Sequence, residues 1–75
     1  MITATLKNVR DTYTAEGASA FEAIANLQVK NLRGKSILTV GGKEIVLTPI
    51  QSARLSGPSP AVREVALKNI TLRFS

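Results

Sequence analysis

The stretch LRGKSILTVGGKEIVLTP, Leu32 to Pro49, decides how this chain folds. Two runs of strong β-propensity, SILTV and KEIVLT, flank Gly41-Gly42. Two residues are the favoured loop of a tight hairpin, and glycine accepts the positive φ that primed turns require. Such a turn pairs Val40 with Lys43, Thr39 with Glu44, Leu38 with Ile45, Ile37 with Val46, and Ser36 with Leu47. One face then collects Leu38, Val40, Ile45 and Leu47, and only the Val40–Lys43 pair sets a charge against an apolar side chain. Ile37 and Val46 fall on the other face, where a helix or a partner would have to cover them. They are the candidate protein-contact residues.

The same stretch carries Gly34-Lys35-Ser36 and Gly41-Gly42-Lys43, which resemble pieces of a phosphate-binding loop. That motif needs an earlier glycine so that the backbone can curl around the phosphates, and it must open a helix. Val29 stands where the glycine is required, and Gly34-Lys35-Ser36 leads into a strand. The turn accounts for Gly41-Gly42. No nucleotide site is expected here.

On the N-terminal side, ITATLK alternates Ile2, Ala4 and Leu6 with polar residues, and TYTAEG resumes the alternation with Tyr13 and Ala15. Period two predicts a hairpin turning around Asn8 to Asp11. Ser19 and Glu22 form an S-x-x-E capping box after Gly17, and AFEAIANLQ predicts a helix over about residues 20–29 with Phe21 and Ile24 in the core. On the C-terminal side, Thr48, Pro49 and Gln51 start a second helix that Gly57-Pro58 stops. Ser59 and Pro60 start a third, with Val62, Val65 and Ala66 on one side. NITLRF alternates Ile70, Leu72 and Phe74, which favours a closing strand, possible beside the first; Leu67 and Ile70 at helical spacing offer a helix to Phe74 as the alternative. The expected order is ββαββαα with a C-terminal strand: one α+β domain over residues 1–75, its antiparallel sheet built from two hairpins and covered by short helices.

A chain of 75 residues buries only roughly 60–65% of its unfolded surface. So small a core, without disulfides, often leans on a partner or on self-association. With no Cys and no His, thiolate or imidazole metal sites and Ser-His or Cys-His catalysis are excluded. Five carboxylates remain, and none is paired by sequence for acid–base work: Glu64 and Lys68, at i and i+4, read as ordinary helix-surface pairing. No enzyme activity, cofactor or metal is expected. No apolar run approaches the ~20 residues that span a bilayer, and the N-terminus lacks signal-peptide character. The expected location is the cytoplasm, or the host cytoplasm or virion for a phage-encoded protein.

The net charge of +5 is uneven. Residues 1–29 carry two cations against three acids, and residues 30–75 carry eight against two. Lys30, Arg33, Lys35, Lys43, Arg54, Arg63, Lys68 and Arg73 are therefore the candidate contacts for an anionic partner, with Arg33, Lys35 and Lys43 forming a cationic edge around the second hairpin. Aromatics are scarce, which gives no stacking platform for single strands. The SGPSP link between the last two helices is too stiff for an ordinary helix-turn-helix.

YTAEGASAFEAIANL, Tyr13 to Leu27, resembles a phrase in a family of small antitoxins with a partial ribonuclease-H-like fold. The chain lacks that family's Pro-Asp-containing strand and has a different second half, so the antitoxin function is not carried over. LTPIQSARL and REVALKNI are similar to segments of short phage and prophage reading frames. The expectation is a small non-enzymatic interaction module, phage- or mobile-element-encoded, acting by protein contact, assembly or homodimerisation. The alternative is a basic nucleic-acid-binding protein that uses the residues from Lys30 onward.

Overall fold

Four strands form one antiparallel sheet in the spatial order β2-β1-β3-β4: β1 (Ile2–Lys7), β2 (Thr12–Gly17), β3 (Ser36–Val40) and β4 (Lys43–Leu47). Three helices, α1 (Ala20–Ala25), α2 (Pro49–Ser56) and α3 (Pro60–Leu72), complete the ββαββαα order of an α+β domain. The structure is a computed structural model and describes residues 1–9 and 11–74.

The second hairpin has the predicted register at all five pairs. Gly41 and Gly42 have φ of 57° and 85°, the pair of positive angles that a type I′ turn demands. The first hairpin pairs Ala4 with Ala15 and Leu6 with Tyr13. The Asn8 N–H donates to the Asp11 carbonyl at 2.8 Å to close its turn, within which Arg10 lies outside the described residues. The free edge of β1 pairs with β3, Ala4 opposite Val40 and Leu6 opposite Leu38. The row Tyr13–Leu6–Leu38–Ile45 therefore crosses the sheet on the face that the helices cover.

The C-terminal strand is not formed. Residues 69–72 continue α3, as the helical alternative has it. Two physical facts favour the helix. β3 and β2 already occupy both edges of β1, leaving no place for another strand beside it. Helical continuation also keeps Ala66, Leu67 and Ile70 on one stripe, all three buried. That stripe displaces the expected one: Val62 and Val65 turn outward, and only Ala66 of the three faces inward. α3 packs on both α1 and α2.

α1 is also shorter than predicted, ending at Ala25 instead of near residue 29. The Asn26 side chain donates to the Glu16 carbonyl at 2.9 Å, tying the helix end to β2. The chain then leaves the helix and buries Leu27 and Val29 in the core. Ile24 is fully buried as expected, whereas Phe21 lies at the rim, 39% exposed, because Ala23 and Ile24 hold the inward face. Gly17 permits this packing. A Cβ there would lie 2.4 Å from the Ala23 backbone nitrogen, so α1 rests directly on the end of β2.

The predicted caps are present. The Ser19 hydroxyl accepts from the Glu22 N–H at 3.2 Å, while the Glu22 carboxylate accepts from Ala18, one residue earlier than a full box would have it. Thr48 and Gln51 make the complete reciprocal box at the start of α2. α2 ends at Ser56 with Gly57 extended, the conformation that a following proline imposes.

Candidate functional site

The helices leave one sheet face open, and it is lined by alternate residues of all four strands. Thr3, Thr5 and Lys7 of β1 stand beside Thr12, Thr14 and Glu16 of β2, with Ile37, Thr39, Glu44 and Val46 beyond. Ile37 and Val46 are direct cross-strand partners and both are exposed. Among the described residues no helix covers them. Their immediate neighbour on β1 is Lys7, so the apolar pair is an island in a mainly threonine and charged surface.

The eight candidate cations are not one site. Lys30, Arg33 and Lys35 lie together on the segment joining α1 to β3, and all three are exposed. That segment is anchored from behind. Val29 and Leu32 are buried, and Asn31 and Gly34 take positive φ of 52° and 70°. The Asn8 Nδ2 donates to the Arg33 carbonyl at 3.0 Å and to the Ser36 Oγ at 2.8 Å. Ser36 and Ser52 share a buried hydrogen bond of 2.9 Å. The Leu32 N–H donates to Ser56 Oγ, which itself donates to the Ser52 carbonyl, each at 3.0 Å. Among the described residues no buried side-chain polar atom lacks a partner, and the segment's cationic side chains reach solvent.

The other five are dispersed. Lys43 lies in the hairpin at the far end of β3 from Lys35, a five-residue strand or about 17 Å away, so the expected Arg33–Lys35–Lys43 edge does not form. Arg54 is on α2. Arg63 points inward: its Nη2 donates to the Ala25 carbonyl at 3.0 Å and the Leu27 carbonyl at 3.1 Å, satisfying the C-terminal end of α1. Lys68 pairs with Glu64 at 3.6 Å on the exposed side of α3, and Arg73 caps that helix's end.

A feature that the sequence reading missed lies between α2 and α3. Arg54, Ala61, Val62, Val65, Ala66 and Asn69 line an open groove of about 370 Å³. Val62, Val65, Asn69 and Leu72 follow one another at intervals of three, four and three, which places them along one side of α3. Ile50 is one turn before Arg54 on α2. Ile50, Val62, Val65 and Leu72 are between 44 and 69% exposed. The spacing was present in the sequence, but reading residues 69–74 as a strand breaks it after Val65.

Among the described residues no helix is long and apolar enough to cross a membrane, and no three acidic residues stand together as metal ligands. Compared with family models, curated proteins and solved structures, the chain matches none.

Proposed function

We propose that this chain is a small non-enzymatic interaction module that works by protein contact. The observation that carries this reading is the exposure of Ile50, Val62, Val65 and Leu72 on neighbouring helices of a 75-residue domain. Single exposed apolar residues are ordinary, but Val62 and Val65 line an open groove, with Leu72 further along the same side of α3 and Ile50 exposed on α2. Apolar side chains gathered at a groove are the usual mark of a docking surface. The Ile37–Val46 pair on the open sheet adds a smaller second surface. A phage or mobile-element origin is part of this proposal, and the neighbouring genes would test it.

The experiment is in-cell cross-linking of the tagged chain beside a Val65→Asp, Leu72→Asp double variant. Both positions are exposed, so the variant keeps the fold, as circular dichroism will verify. The wild type is expected to trap a defined protein that the variant loses. Equal recovery by both, or recovery of nucleic acid alone, would remove this reading.

A second reading, nucleic-acid binding, is favoured by Lys30, Arg33 and Lys35 standing exposed on one anchored segment. Phosphate contact needs little more than such cations and accessible amides.

A further inference from the structure

We propose that the groove between α2 and α3 receives an acidic amphipathic helix of another protein, an inference that rests on the protein-contact reading above. Two independent features define this occupant. The first is spacing. Val62, Val65, Asn69 and Leu72 repeat at three and four residues, the seam that a helix packed nearly parallel or antiparallel to α3 reads. Ala61 and Ala66 are small, so a helical backbone can approach the groove floor, and Arg54 of α2 forms the facing wall. A helix laid between two helices through apolar anchors is a recurring mode of peptide recognition.

The second feature is charge. Arg54 is the one ionisable residue lining the groove, and among the described residues no carboxylate pairs with it. Lys68, between Val65 and Asn69 in the helix, and Arg73, past its end, are exposed but do not line the groove. Glu64 is the acid nearest them in the helix, and its pairing with Lys68 is solvent-exposed and therefore weak enough to exchange for a partner's carboxylate. The charge inside the groove is that of Arg54, with Lys68 and Arg73 beyond its lining, on a chain of net charge +5; the complement is acidic.

A second copy of the chain fits less well. A two-fold interface sets the same patch against itself, so the cations of this side, Arg54 among them, would face like charge rather than a complement.

The test uses the full chain and a synthetic amphipathic helix of about four turns, with leucine and alanine on one face and glutamate on the other. A twin peptide carries lysine for glutamate. Backbone amide spectra of the chain report where each peptide binds. The acidic peptide is expected to shift Val62, Val65, Ala66 and Asn69 and to bind about tenfold or more tightly than its twin, a preference that Arg54→Glu with Lys68→Glu reverses. Val65→Asp should abolish the binding.

Equal affinity for the two peptides, shifts confined to another surface, or dimerisation of the chain through this groove would overturn the proposal. Failure of the acidic peptide, with the cross-linked partner still lost in the Val65→Asp, Leu72→Asp variant, overturns the acidic-helix occupant and leaves the protein-contact reading standing. Retention of that partner by the variant removes the reading itself.

Discussion

Gly17 is where β2 meets α1, and its lack of a side chain sets how close they come. A Cβ would approach the Glu22 carbonyl carbon to 2.7 Å and the Ala23 Cα to 2.9 Å, besides the 2.4 Å to the Ala23 nitrogen. All three are backbone atoms, so no rotamer change relieves the contact. Gly17→Ala must separate the strand end from the helix and loosen the burial of Ala23 and Ile24. The expected cost is about 2–3 kcal/mol, from the range seen for overpacked cores. In a domain of this size that lowers Tm by about 10 °C or more. Thermal unfolding of the purified variant measures it, and an unchanged Tm would show that α1 does not rest on β2 as described. The glycine was visible in the sequence as a strand terminator, but its steric role was not, because the clash is with a residue whose position depends on how α1 docks. Arg63 has the same character. Sequence marks it as one cation among eight, and only the folded chain shows its guanidinium on the carbonyls of residues thirty-six and thirty-eight positions away.

Local rules set the elements where they are self-sufficient and fail where a distant contact decides. The β3–β4 hairpin was legible to the residue because period-two alternation and a two-glycine turn admit one register. The starts of α2 and α3 were legible because the caps are local side chain-to-backbone bonds. The end of α1 was not, since Asn26 and Arg63 fix it from outside, and neither was the course of residues 69–72, where alternation and helical spacing coincide. The groove between α2 and α3 was hidden by that same ambiguity, while the hairpin register put Ile37 and Val46 on the face away from the core and left open whether a helix covers it. Arg63 gives the element-level prediction. It joins α3 to the end of α1 through two charge-assisted bonds to backbone carbonyls. Arg63→Ala should destabilise the domain by about 2 kcal/mol, since it strips partners from carbonyls that face partly buried surroundings. Denaturant unfolding reads the loss as a lower midpoint. Were Arg63 instead an anion-binding residue, the midpoint would stay put and only ligand affinity would fall.

At the scale of the whole molecule, the net charge of +5 and the dispersal of the cations act in opposite directions. Excess positive charge draws any polyanion, but strong binding needs several cations facing phosphates at once. The fold gathers three, Lys30, Arg33 and Lys35, and separates the rest: Lys43 to the far end of β3, Arg54 to the groove wall, Arg73 to the end of α3. Arg63 is engaged by carbonyls, and Lys68 stands on the outer side of α3 in a weak, exposed pair with Glu64. The salt dependence of binding to duplex and single-stranded nucleic acid counts how many cations take part, because each neutralised phosphate contributes about −0.9 to the log–log slope on duplex and about −0.7 on single strands. With the connector alone engaged, the slope on duplex should be no steeper than about −3, and affinity should stay in the weak, non-specific range of about 10⁻⁴–10⁻⁶ M at physiological salt. Reversing Lys30, Arg33 and Lys35 to glutamate should then abolish binding while leaving the midpoint of unfolding unchanged, since their side chains are exposed. A slope approaching −7, the value of about eight phosphate contacts at 0.9 each, together with nanomolar affinity would mean that the dispersed cations converge on one ligand after all. That outcome would make nucleic acid the principal partner and displace the protein-contact reading.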